Sequence, residues 1–251
     1  MASFSVVAMQ ASPSKNFDEK LAATQALLRK ALKDHVKITQ ASSLGAEDVV
    51  ITHLLEAIKA EATNANFSAD VFVLNTGKLH AETLSLMAKQ QSTSPLMVRV
   101  FEPVQEQAIQ FVKTNGEMAM RESVDLRKAC CHIRKVEPLK RALQGYTAWI
   151  TGMRREQSAA RADVPAVDTS DSVRTKYNPL TDWTWGDVLH YIVTHHVPYN
   201  TLIDQFYPSI GCEPCTRASS LGEDFRAGRW WWEDKEGENA KECGLHVKEK
   251  Q

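Results

Sequence analysis

The sequence has no apolar run approaching the ~18 residues that a membrane-spanning helix needs, so a helical integral membrane protein is excluded. It also lacks net charge. Thirty basic side chains oppose 31 acidic ones, for a formal charge of −1. A chain whose overall business is coating nucleic acid or an acidic membrane would be far more lopsided. The opening MASFSVVAMQASPSK has a short apolar stretch with no basic residue ahead of it, so no secretory signal is expected. Internal repeats and low-complexity tracts are absent. Cysteine is scarce: five in 251 residues, an odd number and too few for a disulfide scaffold. What remains is a cytoplasmic protein with thiol or metal chemistry. Its length and 43% hydrophobic content suffice for one large domain, or one with a small appendage.

The few cysteines are not scattered. Cys130 and Cys131 are adjacent, Cys212 and Cys215 form C-x-x-C in SIGCEPCTR, and Cys243 stands alone near the C-terminus. Adjacent cysteines rarely bond to each other, because the intervening peptide is strained. Two pairs brought together would give a four-thiolate site for zinc or an iron–sulfur cluster. C-C is an unusual half of a zinc site, which tilts the reading toward iron–sulfur. The simpler reading keeps Cys130 and Cys131 as core thiols.

Along the chain, helical and strand patterns alternate. Residues 15–34 place leucines at helical spacing, VKITQASS reads as a strand entering a loop, and GAEDVVITHLLEAIKAEA as a helix with an acidic first turn. DVFVLNTG is a strand, KLHAETLSLMAKQQ a helix, LMVRVFEP a strand, and EQAIQFVKTN a helix. HIRKVEPLKRALQG reads as a helix ended by Gly145, and TAWITG as a strand. This order predicts an α/β fold, a twisted parallel sheet flanked by helices. Ligands then bind beyond the strand ends at ASSLGAED, LNTG and ITGMRREQSAAR. Later, Thr181 or Asp182 is the expected cap of a helix in YNPLTDWTWGDVLHYIVTHHV. EDKEGENAKE has almost nothing to bury and is expected to be mobile.

The loop SSLGAED is small-residue-rich before a helix N-terminus, which suits an anion, although neither G-x-x-x-x-G-K-[ST] nor G-x-G-x-x-G is present. An ordinary tight turn explains it equally well on its own. From Arg121 to Arg161 ten basic residues face four acidic ones. Such a surplus inside a neutral chain points to a confined anionic ligand. Arg154, Arg155 and Arg161 follow a strand directly, and Arg226 and Arg229 extend the set. Lys135 lies one helical turn beyond the cysteine pair, where its charge offsets thiolates. Cys243, in KECGLH, has Lys241 and His246 nearby to raise its thiolate fraction. His195 and His196 have no matching ligands and read as structural or exposed. Trp230–Trp232 cannot share one face and read as packing against the domain or a subunit interface.

ASSLGAEDVV, LNTGKLHAET, KACCHIRKVEPLKRAL, WITGMRREQSAAR, NPLTDW, GCEPCTR, GEDFRAGRWWWE and KECGLH together resemble the assimilatory adenylylsulfate reductases, relatives of the phosphoadenylylsulfate reductases. The first strand–loop–helix also resembles the wider adenine nucleotide alpha-hydrolase-like group, with SSLGAED in place of SGGKDS. Asn75 departs from the Asp that many relatives carry. The resemblance implies a [4Fe-4S] cluster on Cys130, Cys131, Cys212 and Cys215, with Cys243 as nucleophile. It implies adenosine 5′-phosphosulfate (APS) as substrate, and sulfite and AMP as products. Thioredoxin or a similar dithiol would be the reductant. Lys135, Arg226, Arg229 and His246 would offset charge on the transferred group. Ser42, Ser43, Gly45, Leu74, Gly77, Gly152, Arg154 and Arg161 would hold the nucleotide. Residues 1–232 are expected to form the nucleotide-binding reductase domain, and 233–251 a mobile tail carrying Cys243. No nucleic acid or membrane partner is expected, and the chain is expected to be a homo-oligomer. Two alternatives stand: preference for the 3′-phosphorylated substrate or dual specificity, and a non-catalytic metal- and nucleotide-binding regulatory module.

Overall fold

The computed structural model describes residues 5–61, 68–220 and 222–233. The chain begins with α1 (Val6–Gln10) and the amphipathic α2 (Phe17–Asp34). It continues through β1 (Lys37–Ser42), α3 (Ala46–Glu61), β2 (Ser68–Leu74), α4 (Ala81–Thr93), β3 (Met97–Phe101) and α5 (Gln105–Asn115). Then come α6 (Val124–Cys131), a π-turn (His132–Val136), α7 (Glu137–Ala142) and β4 (Ala148–Ile150). β5 (Val167–Asp168), β6 (Thr175–Tyr177) and α8 (Trp185–Thr194) complete the regular elements.

The strands form one sheet in the order β3-β2-β1-β4-β6-β5, parallel throughout except for the antiparallel β5–β6 edge. Side chains alternate across it, as the two-residue strand period requires. Val71 and Val73 join the larger core with residues of α2, α3, α4 and α8, while Phe72 packs with Trp149, Ala142 and Leu143 on the other face. The α3 residues Val49, Val50, Ile51, Leu54 and Leu55 are all essentially inaccessible. Each such side chain contributes about 1.5–3 kcal/mol relative to exposure, so α3 is firmly seated and its first turn is a fixed platform. From β1 the chain builds outward to β3, then returns to β4 on the other side of β1. The reversal opens a crevice beyond the carboxyl ends of β1 and β4. The expected parallel α/β sheet is therefore present. No helix among the described residues is long and apolar enough to cross a membrane.

Two local expectations are corrected. The helix expected from His132 starts earlier, at Val124, where Ser123 caps the Leu126 N–H at 3.1 Å, and it runs through both cysteines. The widened turn at His132–Val136 precedes Pro138, which has no N–H to give, and the Glu137 N–H reaches back to His132. The later helix is capped by Thr184, not by Thr181 or Asp182. Successive turns occupy the segment before it, with Thr181 N–H on Asn178 and Trp183 N–H on Leu180. The Thr184 hydroxyl accepts the Asp187 N–H at 3.1 Å, and the Asp187 carboxylate accepts the Thr184 N–H at 2.9 Å.

Asp187 also receives the Ser14 N–H at 2.6 Å and Lys20 Nζ at 2.8 Å, tying the N-terminal segment to α8. Burial alone would raise its pKa, but Lys20 and the Ser14 and Thr184 N–H groups outweigh burial and bring it from 3.8 to about 2. A lowered carboxyl pKa stabilises the fold above the unfolded value, and that stability is lost as pH falls toward the folded one. We therefore expect Asp187→Asn to lose about 2–3 kcal/mol at pH 7, with the gap closing between pH 4 and 2. Urea unfolding of both chains across that range checks it.

Candidate active site

The crevice at the switch point is a cleft of ≈ 190 Å³. It is lined by Ser42, Ser43 and Gly45 from the loop after β1, and by Gly152 and Arg161 from the segment after β4. Leu74 contributes from the end of β2, and Lys135, Arg226 and Arg229 also line it. With the metal ligands set aside, nine of the eleven described residues expected to bind substrate or act in catalysis line this cleft. The exceptions are Gly77 and Arg154.

Gly77 has a φ of 70° and turns the chain after β2, but it faces a neighbouring groove with Asn75 and Arg134. The Asn75 amide donates to Glu102 at 2.8 Å, and its oxygen accepts the Gly77 N–H at 3.1 Å. Asn75 thus shapes this turn away from the cleft. An Asp there would set a second carboxylate against Glu102.

Arg154 is the other exception. It does not line the cleft but lies fully buried behind it. Its Nε donates to Glu47 at 2.8 Å, and its Nη1 donates to Glu156 at 2.6 Å and to the Trp183 carbonyl at 3.2 Å. Much of the basic surplus is similarly spent on structure. Arg155 pairs with Asp182, Arg141 with Glu137 at 2.7 Å, and the buried Arg127 with Glu233. Arg161 is the arginine of this loop that reaches the cleft wall, and its Nη1 donates to Gln157 at 2.5 Å.

Sequence reasoning missed Glu47, Asp48 and Gln157, which also line the cleft. The two acids read as an acidic first turn complementing the helix dipole, and both are buried. Glu47 accepts from Arg154 and from Gln157 Nε2 at 3.0 Å. Their only sequence signal was an acidic pair between a small-residue loop and an unbroken apolar helix.

Beside the cleft, Cys130, Cys131, Cys212 and Cys215 converge on one small cavity, as free buried thiols. α6 supplies the first pair. The second sits on a loop held against residues 76–79, with Glu213 N–H on the Lys78 carbonyl at 2.8 Å and Thr76 Oγ1 3.2 Å from Cys212 Sγ. Trp230, 1% exposed, closes the cavity, and its N–H has no acceptor among the described residues. Trp231 and Trp232 instead flank Arg121 at 4.8 and 5.2 Å. Burial pushes the Cys215 thiol up to about 11, against the pull of Lys135 and Arg229, and pushes Cys130 up against Arg134. Thiols so desolvated stay neutral unless a metal takes their protons. A single ion needs three or more donors drawn together, and no such group occurs among the described residues. Four thiols lining one cavity are the donor set that would hold an iron–sulfur cluster.

Lys135 and Arg229 line both cavities. Arg229 is buried over the Trp230 ring at 4.7 Å, and Gly211 lets it lie there, since a Cβ on Gly211 would meet its Nη2 at 2.3 Å. His195 and His196 are exposed, with His195 resting on Tyr191 at 4.2 Å. Cys243 and His246, and the tail that carries them, lie outside the described residues.

The sequence pattern of the phosphoadenosine phosphosulfate reductase domain matches residues 37–218. The adenosine 5′-phosphosulfate reductase of Neisseria meningitidis serogroup A is 47% identical over 231 residues, covering 91% of this chain and 90% of that protein. The enzyme of the same name from Burkholderia cepacia is 47% identical over 230 residues, covering 91% and 88%. Among solved structures, phosphoadenylyl-sulfate reductase from Candida auris, in its phosphate complex, superposes with a TM-score of 0.63 at 27% identity, covering 80% of this chain and 97% of that one. FMN adenylyltransferase from Candida glabrata, at 11% identity and a TM-score of 0.61, covers 90% of this chain and 78% of that one and shares the fold alone. The switch-point cleft, the four thiols beside it and these matches agree: the chain belongs to the phosphoadenosine phosphosulfate reductase family.

Proposed function

We propose that this chain reduces APS to sulfite and AMP in sulfate assimilation, with electrons from thioredoxin or a similar dithiol in the cytoplasm. The observation that supports this most directly is the shared pair Lys135 and Arg229, which joins an anion-sized cleft to a four-thiol cavity. The 47%-identical relatives bear the name of this activity.

In this reading Ser42, Ser43, Gly45, Leu74, Gly152 and Arg161 hold the adenosine and its 5′-phosphate. Lys135, Arg226, Arg229 and His246 face the sulfuryl oxygens, which would otherwise repel an incoming thiolate. Positioning and charge neutralisation carry most of the acceleration, as in phosphoryl transfer. The Cys243 thiolate attacks the sulfur of APS, the bond from that sulfur to the bridging phosphate oxygen breaks, and AMP leaves with the electron pair. A dithiol thiolate then attacks Cys243 Sγ and sulfite departs. The second thiol then attacks the mixed disulfide, which frees the Cys243 thiolate and leaves the reductant oxidised to its own disulfide. The four buried cysteines fit a [4Fe-4S] cluster, whose chemistry here would be a fixed charge that orients Lys135 rather than electron supply.

Mixing the protein with APS and no dithiol should leave a sulfonate on Cys243, seen by peptide mass spectrometry. An unmodified Cys243 after AMP release would sink the mechanism. The ratio of kcat/KM for APS to that for its 3′-phosphorylated form is expected to favour APS, and the reverse ratio would establish the alternative substrate.

A further inference from the structure

A single carboxylate ties together the two loops that part at the switch point. Asp48, in the first turn of α3 and 7% exposed, receives the Ser43 N–H at 2.6 Å and the Ser43 hydroxyl at 2.7 Å, both on Oδ2. Its Oδ1 faces the segment after β4, so closely that a Cβ on Gly152 would lie 2.4 Å away. The Gly152 N–H donates to the same carboxylate. All three partners are donors. A carboxylate can accept from each, whereas a protonated acid would turn its own O–H on one of them. Between Ser43 and Gly45, Leu44 is held at a φ of 63° with its side chain fully buried. A leucine keeps that left-handed conformation only where its surroundings impose it.

We propose that ionised Asp48 is a positioning residue, clamping the Ser43 loop to the Gly152 loop and so fixing both walls of the nucleotide cleft. The inference rests on that cleft binding the nucleotide and adds what sets its width. Burial pushes Asp48 from 3.8 up to about 6; the Ser43 bonds and the Gly152 N–H oppose the rise, and the neighbouring Glu47 charge adds to it. The charged groups around it are Glu47 on α3, Arg154 bonded to Glu47, and Arg161 on the cleft wall. A raised carboxyl pKa means the folded chain holds a proton that the unfolded chain has released between pH 3.8 and about 6. Keeping Asp48 charged at neutral pH therefore costs fold stability. A residue retained only for stability would be neutral here.

The test is calorimetric titration of APS into the full chain carrying Cys243→Ser, which blocks turnover, from pH 5 to 8. APS has no group titrating in that range, unlike AMP, whose phosphate titrates near pH 6. Affinity is expected to fall about tenfold per pH unit below the Asp48 midpoint. Adding Asp48→Asn should flatten the profile and weaken binding about tenfold or more at pH 7.5, without lowering the melting temperature of the nucleotide-free protein. A flat profile with Asp48 present overturns the proposal, as does an Asp48→Asn chain that binds APS normally. Should that variant not fold, Ser43→Ala, which removes one bond to the carboxylate, is expected to move the midpoint to higher pH. A midpoint that stays put overturns the proposal too. No APS binding at any pH would overturn the nucleotide reading itself, and this inference with it.

Discussion

Cys243→Ser is expected to abolish sulfite release while leaving APS affinity within about twofold of the unsubstituted protein. Two effects combine. A thiolate is available near neutral pH and a serine alkoxide is not, which alone lowers the transfer rate by orders of magnitude. The second effect concerns the product. In the proposed reaction sulfite forms because the sulfuryl group is parked on sulfur, where a thiol attacks Sγ and expels it with both electrons. Parked on serine oxygen, the same group is a sulfate ester, and its hydrolysis returns sulfate with no reduction. Turnover to sulfite should thus fall by on the order of 10⁴ or more, and no dithiol concentration should restore it. Coupled sulfite assay and APS titration check the two halves separately. Residual sulfite release would move the nucleophile to another thiol. The four described cysteines are poor candidates, being buried, with Cys130 and Cys215 pushed up in pKa. Full retention of function would favour the regulatory-module alternative.

The sheet was legible because period and punctuation agreed. β2 and β4 carry short apolar runs ending at small-residue loops, β1 is a more polar strand entering such a loop, and α3 is a largely apolar helix with an acidic first turn. The cysteine quartet was legible as a set, though its convergence depends on contacts far apart in sequence, such as Leu79 pairing with Cys212. Side-chain direction was not legible. Arg154 and Arg161 share one loop, yet two tight turns, Arg155–Gln157 and Ala159–Arg161, send the first into the interior and the second to the cleft. Nothing in residue type or spacing distinguishes them. The same holds for Glu47 and Asp48, whose burial follows from the β4 loop lying across α3. That approach requires Gly152, where even a methyl group would collide with Asp48 and Glu47.

The buried position of Arg154 leads to a stability prediction opposite to what a nucleotide contact would give. Arg154 has no solvent exposure, and its guanidinium is enclosed by Glu47, Glu156, the Trp183 carbonyl and the rings of Phe225 and Trp185 at 5.2 and 5.7 Å. Arg154→Met fills some of the volume but strands the Glu47 carboxylate, 8% exposed at its side chain, with Gln157 as its remaining neutral donor. Breaking a buried pair from one side costs about 3–5 kcal/mol, or a melting temperature lower by roughly 10 °C in a chain of this size. Glu156 adds little to that cost, because half of its side chain stays in water. Combining Arg154→Met with Glu47→Gln removes the stranded charge while keeping an oxygen for Gln157, so the pair should be less destabilised than the sum of its parts by about 1–3 kcal/mol. Urea melts of the four chains without nucleotide close this cycle. Had Arg154 touched the phosphate, the nucleotide-free melts would coincide and only affinity would fall. In the observed packing, stability falls first, and affinity follows through Gln157, which donates to the stranded Glu47 and whose oxygen holds Arg161 Nη1. Coincident nucleotide-free melts, or strictly additive costs, would return Arg154 to the cleft.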